Sequence, residues 1–361
     1  MNMPITRVTA GAYTIPTDAP ESDGTIAWDS TTMVTAEIEA GGRVGFGYTY
    51  CDAAARTLIE GVLAKTLMGQ DACAIEARWS DMNGAVRNIG RPGVAACAIS
   101  AADIALWDSK AKHLDISLAT LLGPSRERVP VYGSGGFTSY DETRLGEQLG
   151  DWASAGCRWV KMKIGREPDR DHARVEAARK AIGAATLFVD ANGAYARKQA
   201  LGFADAFAAC GVGWFEEPVS SDDLEGLRLI RDRAPGHMAI AAGEYGYTPY
   251  YFRTMLEAGA VDVLQADATR CGGVTGFLRA AALCDGFEIP LSSHCGPSVH
   301  LAAACAAPRL VHMEWFYDHV RIEHMLLDGA PKLEDGHIRP DLARPGHGLE
   351  LRKADARKFE V

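Results

Sequence analysis

Eight ionisable side chains, Lys161, Lys163, Asp190, Glu216, Glu244, Asp267, His294 and Glu314, stand where strand-like runs of the sequence end. Counted from Lys163, the steps between them are 27, 26, 28, 23, 27 and 20 residues, each close to one strand, loop and helix of an α/β barrel. Such a barrel collects the ends of its strands on one rim, so the spacing predicts one shared site.

The residue types suggest what that site does. Asp190, Glu216 and Glu244 would end three consecutive strands about 4.8 Å apart laterally. Three carboxylates that close repel unless a cation joins them, and an all-oxygen triad with open positions suits Mg²⁺ better than zinc. Glu216 and Glu217 are adjacent, so strand alternation sends only one of them inward, and the spacing does not say which. Asp190 and Asn192 share a parity, with Gly193 to turn the chain, so Asn192 can also face the site.

Lys161 and Lys163, two apart on one strand, would both point into the barrel. At roughly 6 Å and an effective dielectric of about 20 they repel by about 3 kcal/mol, which predicts a lowered pKa and a lysine able to act as a base near neutral pH. Asp267 and His294 would lie on neighbouring strand ends, where a carboxylate orients an imidazole and raises its basicity. Glu314 faces the same opening, and Arg270, three residues after Asp267, reads as a salt-bridge partner. Singly, each of these is an ordinary loop or paired residue. Together they describe a cation that activates a carboxylate substrate between two bases, lysine on one side and histidine on the other.

Two kinds of element must hold these groups. Residues 3 to 49 read as antiparallel strands, with a β-branched run from Thr31 to Glu39, a Gly41-Gly42 turn and a return through Tyr48. Pro16 to Asp23 reads as a surface loop. From Ala53 to Leu122 the pattern is helical and alanine-rich, and Gly123-Pro124 closes it. After Val129, strands alternate with helices, which implies parallel pairing with crossovers. The fold expected is α/β, a modified TIM barrel of the (β/α)7β type over 126–338 with an α+β capping domain over 1–125. A segment over 339–361, including a strand at Gly348 to Arg352, would return to the capping domain.

Composition narrows the function class. A length of 361 residues suits one barrel of about 250 residues and a smaller domain. A net charge of −10 with no basic cluster argues against a nucleic-acid surface. Nine cysteines without a Cys-x-x-Cys pair fit reduced thiols rather than a disulfide framework. The absence of a long apolar run and of a signal-like start predicts a soluble, cytoplasmic protein with no membrane partner.

At these residues the chain resembles the enolase superfamily, in its mandelate racemase subgroup. The motifs are Lys161-Met-Lys163, Asp190-Ala-Asn192-Gly193, Trp214-Phe-Glu216-Glu217-Pro218, Gly243-Glu244, Asp267 with Gly272-Gly273-Val274-Thr275-Gly276, Ser292-Ser293-His294, and Glu314. The resemblance covers nearly the whole chain and implies Mg²⁺ on Asp190, Glu216 and Glu244, which resolves the Glu216 ambiguity. It implies that Lys163 and the His294–Asp267 pair are the two bases, and that Lys161, Asn192, Glu314 and Ser134 surround the substrate carboxylate. Lysine or histidine bases beside Mg²⁺, with an enediolate between them, are the recognised pattern of enolase-superfamily sites. Relatives are often octamers or dimers, so a homo-oligomer is expected. Tyr245 stands where many relatives carry asparagine and Arg270 where the namesake racemase has lysine, which argues against mandelate as the substrate.

Two outcomes share the intermediate. With a β-hydroxyl on the substrate, loss of water gives a 2-keto-3-deoxy acid; without a leaving group, the proton returns and the result is racemisation or epimerisation. A sugar-acid dehydratase is the favoured reading, because Trp28, Tyr48 and Tyr50 could stack on a polyol while Asn88 and Arg91 bind distal oxygens. A racemase, epimerase or lactone cycloisomerase is the alternative. A non-catalytic carboxylate-binding relative would have lost Lys163, His294 or a triad acid, and none is missing.

Overall fold

The computed structural model describes residues 3–361. Its first part is a three-stranded antiparallel sheet, β1 (Ile5–Ser22), β2 (Ala27–Ala40) and β3 (Arg43–Tyr50), in that order. The segment expected as a loop, Pro16 to Asp23, is mostly strand. Pro16 pairs with Ser30 and Glu21 with Trp28, so a bulge absorbs the extra residues and the β1–β2 hairpin continues as an arm to its turn at Gly24. Proline is tolerated because it falls at the irregular point of the ladder.

One face of the sheet is covered by the helix Val94–His113, of whose 20 residues 15 are buried. A helix buried on nearly all sides must be sandwiched, and this one lies between the sheet and the barrel. Its alanines and Gly47 of β3 let the two backbones approach closely: a Cβ on Gly47 would lie 2.2 Å from the Ala101 carbonyl oxygen. On its other side the Asp103 carboxylate accepts from the Thr275 backbone N–H (2.9 Å) and hydroxyl (2.7 Å), tying the helix to the barrel.

The barrel has eight parallel strands: β4 (Val129–Gly135), β5 (Trp159–Lys163), β6 (Thr186–Asp190), β7 (Val212–Glu216), β8 (Ala239–Ala242), β9 (Val263–Ala266), β10 (Leu291–Ser293) and β11 (Leu310–Phe316). Each pairs with the next and β11 pairs with β4, which closes the ring. A helix links every consecutive pair, so the architecture is (β/α)7β. A short strand, His337–Ile338, adds antiparallel to the outside of β4.

The strand expected at Gly348 to Arg352 is shorter, Glu350–Leu351, and pairs with Leu327–Asp328 rather than with the capping sheet. The chain meets that sheet on either side of this strand: His347 Nε2 lies 2.6 Å from the Phe46 carbonyl oxygen of β3, Lys353 pairs with Glu37 (2.7 Å), and the Val361 N–H donates to the Ala12 carbonyl (3.0 Å). All nine cysteines are free thiols. Among the described residues no helix is long and apolar enough to cross a membrane.

Candidate active site

Period-2 alternation builds the barrel interior in two layers. The lower is aromatic: Tyr132, Trp159, Phe188, Trp214 and His312 converge there, with Phe188 stacked on Trp214 at 5.0 Å between centroids and Tyr132 edge-on to His312 at 4.9 Å. Two residues further along each strand come Ser134, Lys161, Asp190, Glu216 and Glu314. The floor excludes water and lets the groups above it interact strongly. Register sets them side by side, since Lys163 pairs with Asp190 and Asp190 with Glu216.

Lys161 is fully buried at the centre of this upper layer. Its ammonium lies 2.6 Å from Glu216 Oε1, 2.8 Å from Glu314 Oε1 and 3.6 Å from Asp190 Oδ2. Ser134 donates to Glu314 Oε1 (2.6 Å), and Trp214 Nε1 donates to Glu216 Oε2 (2.9 Å). Lys163 Nζ is 2.5 Å from Asp190 Oδ2. These contacts correct the lowered lysine pKa expected from mutual repulsion. Burial does oppose both charges, but the surrounding acids together outweigh it, chiefly Glu216 and Glu314 at Lys161, and Asp190 with Glu244 and Glu216 at Lys163, where Lys161 also repels, so both are held above the usual lysine range. The same pairs hold Asp190 below the carboxylate range against its burial, and Glu314 well below it. Glu216 goes the other way, driven up by burial and by Asp190.

Glu244 follows β8 by two residues. One carboxylate oxygen each of Asp190, Glu216 and Glu244 lie within 4.8 Å of one another, and Glu244 Oε2 is buried without a hydrogen-bond partner among the described residues. Three buried carboxylates with an orphaned oxygen among them fit a hard divalent cation.

On the Glu244 side stands His294, just past β10. Its Nδ1 lies 2.8 Å from Asp267 Oδ2 and its Nε2 3.4 Å from Glu244 Oε2. Asp267 also accepts from the Thr269 backbone N–H and hydroxyl, both at 2.7 Å. The bond and charge of His294, with His300 and Arg270, hold its carboxyl far below the usual range despite burial. Asp267 is therefore an anion that fixes the Nδ1–H tautomer, leaving Nε2 to exchange protons. Arg270 lies 3.6 Å from both Asp267 and Glu244 and donates to the Glu244 carbonyl (3.2 Å), so it ties the third carboxylate to the histidine's partner.

Above these groups is a cavity of about 460 Å³ between the rim and the β1–β2 arm. Lys163, Asn192, Glu244, Asp267, His294 and Trp28 line it. The arm's turn sits on the rim: a Cβ on Gly24 would be 2.4 Å from the Ala191 carbonyl oxygen, so only glycine fits there. Trp28 is held by its Nε1 bond to Glu21 (2.9 Å) and by edge-on contact with Phe137.

Three of the residues expected to meet the polyol, Tyr48, Asn88 and Arg91, are not in the cavity lining. Tyr48 is fully buried and donates to Glu323 Oε1 (2.7 Å) in the joint between the sheet and the barrel. Tyr50, on the same face but at the strand's end, does line it. Arg91 turns toward the Asn83 carbonyl (3.4 Å) outside the lining, and Asn88 is exposed beside Arg87.

Alternation also missed one carboxylate. Glu217 lies just beyond β7 with φ 37°, and this left-handed turn keeps it buried next to Glu216. Burial and Glu244 push its pKa well above the usual range, and its Oε1 has no partner among the described residues. Asn192 (φ 46°) and Cys295 (φ 49°) share the left-handed conformation just past β6 and β10. Three of the six non-glycine residues with positive φ among the described residues thus lie on the rim that carries the chemistry.

Known proteins resemble the chain over most of its length. A family profile described as the mandelate racemase / muconate lactonizing enzyme N-terminal domain matches residues 12–123, and one described as enolase C-terminal domain-like matches 144–356. The chain belongs to the mandelate racemase/muconate lactonizing enzyme family. It is 36% identical, over 96% of its length and 97% of the relative's, to a 3,6-anhydro-alpha-L-galactonate cycloisomerase of Streptomyces coelicolor. Among solved structures, a mandelate racemase/muconate lactonizing enzyme-like protein from Rubrobacter xylanophilus superposes with a TM-score of 0.97 at 55% identity, covering 99% of each chain. An L-talarate dehydratase from Polaromonas sp. JS666, complexed with Mg and L-glucarate, superposes with a TM-score of 0.89 at 30% identity, covering 99% of this chain and 98% of that one.

Proposed function

We propose that this protein is a Mg²⁺-dependent lyase that removes the α-proton of a sugar acid and expels its β-hydroxyl, giving a 2-keto-3-deoxy acid. The observation that carries this is the carboxylate triad with Lys163 against its Asp190 end and His294 against its Glu244 end. The related dehydratase crystallised with Mg and a sugar acid supports both the ion and the substrate class.

Asp190, Glu216 and Glu244 would hold the ion. Bound there, it would polarise the substrate carboxylate, stabilise the enediolate and compete with Lys163 for Asp190, freeing the amine to act as a base. Lys161 stays protonated between Glu216 and Glu314 and offers fixed positive charge to the substrate carboxylate, with Asn192 beside it. Lys163 or His294 Nε2 takes the α-proton, according to which face of the substrate each meets. Protonated His294, its charge stabilised by Asp267, then gives a proton to the β-hydroxyl. The Cβ–O bond breaks, water leaves, and the enol tautomerises to the keto acid.

A second reading, cycloisomerase or epimerase, uses the same two bases and is favoured by the 36% identity to a cycloisomerase. Incubating sugar acids with the protein and Mg²⁺ in deuterated water separates the two. Keto-acid formation selects dehydration; α-deuterium incorporation or lactone conversion without keto acid selects isomerisation. No reaction across aldonates, aldarates and their lactones would reject both.

A further inference from the structure

Charge is distributed unevenly round the cavity. The cations among its lining residues come from the barrel: Lys163 lies against Asp190, and Arg270 is matched by Asp267 and Glu244. The wall supplied by the capping domain contains the carboxylates Asp23 and Asp52 and the hydroxyls Ser30, Thr31 and Thr32. Among the described residues it offers no lysine or arginine. The adjoining cleft of about 630 Å³ is no different in sign, with Glu217 and Asp222 in its lining.

His319, three residues past β11, also faces the cavity. Its ring stacks on Tyr50 at 3.5 Å, and its Nδ1 accepts the Gly296 backbone N–H at 3.2 Å. An Nδ1 that accepts carries no proton, so the neutral ring must carry it on Nε2, which has no partner among the described residues. Burial and the neighbouring His294 push its pKa down to about 3, in keeping with an uncharged ring. Asp52 gives one oxygen to the Ala54 N–H (2.8 Å), leaving the other to accept.

We propose that the substrate bears a single carboxylate, and that the end of the cavity under the capping domain reads neutral hydroxyls, His319 Nε2 donating to one and Asp52 accepting from another. This rests on the reading above, in which the carboxylate beside the reacting carbon lies against Lys161 and the triad. A second carboxylate at the far end would meet a wall whose charged side chains are carboxylates, with no lysine or arginine among the described residues, whereas an aldonate places hydroxyls there.

The test compares aldonates with aldarates of the same length and configuration in the presence of Mg²⁺, scored as kcat/KM for keto-acid formation or α-proton exchange. The expected result is a preference of at least 100-fold for the aldonate. Asp52→Asn keeps the acceptor for the Ala54 N–H and removes the charge, and should shrink that preference at least tenfold. His319→Phe should raise KM for the aldonate about tenfold with kcat within about threefold, and His319→Gln, which keeps a donor, should recover most of the loss. Aldarates turned over as well as aldonates, or a preference and KM that neither variant moves, would overturn the proposal and leave the Mg²⁺ chemistry standing. Absence of product and of exchange with both acid classes would overturn the chemistry and this proposal together.

Discussion

Lys161→Met is the sharpest perturbation of the buried ionic layer. The side chains are similar in length, so packing against Tyr132 survives while the positive charge disappears. Glu216 and Glu314, now 2.6 and 2.8 Å from that charge, would be left without it, and Asp190 would lose a third contact at 3.6 Å. Breaking a buried ion pair from one side typically costs about 3–5 kcal/mol. With about 2.1 cal/mol/K per residue for the entropy of unfolding, a chain of this length should lose about 4–7 °C in Tm if it unfolds in one step. A dication replaces the lost charge, so Mg²⁺ should raise the variant's Tm more than the wild type's. Protonation of Glu216, already driven upward by burial, gives the layer another escape, so the deficit should shrink toward pH 5. Calorimetry in EDTA and in millimolar Mg²⁺ reads all three effects. A variant as stable as wild type in EDTA, or stabilised by Mg²⁺ no more than wild type, would refute the charge balance argued for this layer.

Other outcomes follow from the same geometry. Lys163→Ala and His294→Ala should each lower kcat by about 10²–10⁴-fold with circular dichroism unchanged, and near wild-type rates in both would remove the two-base assignment. Glu216→Gln should weaken Mg²⁺ binding measured by calorimetry more than Glu217→Gln does; the reverse order would make Glu217 the ligand. Glu21 is buried with one oxygen unpaired among the described residues, and burial with nearby Asp318 raises its pKa to about 8. The folded protein therefore binds a proton there that the unfolded chain releases above about pH 4.5, and stability from this group falls as pH rises from about 4.5 to 8. Glu21→Gln should raise Tm by about 2–5 °C at pH 8 and converge with wild type near pH 5; a constant offset across that range would contradict the shift.

Much of the site was legible because barrel geometry repeats. One ionisable residue per strand end, about 26 residues apart, is a periodic signal, and period-2 alternation then assigns the inward face. What alternation could not give was depth and conformation beyond the strand. Tyr48 and Tyr50 share a face, but the joint with the barrel covers the first and the strand's end exposes the second. Glu217 escapes alternation because its backbone turns left-handed where the strand has ended. The lysine pair misleads for a different reason: repulsion between two neighbouring ammonium groups is visible in the sequence, but the attraction of Asp190, Glu216 and Glu314, which the fold brings against them, outweighs it. The aromatic floor carried an unread signal, since Phe188, Trp214 and His312 each precede a buried acid by two residues.

A crystal structure of the protein grown in Mg²⁺ tests the central claim most directly. One ion should be bound by Asp190, Glu216 and Glu244, with the Lys163 amine and the His294 ring approaching its open positions from opposite sides. An empty triad with its acids splayed apart, or the amine and ring on the same side, would contradict the account.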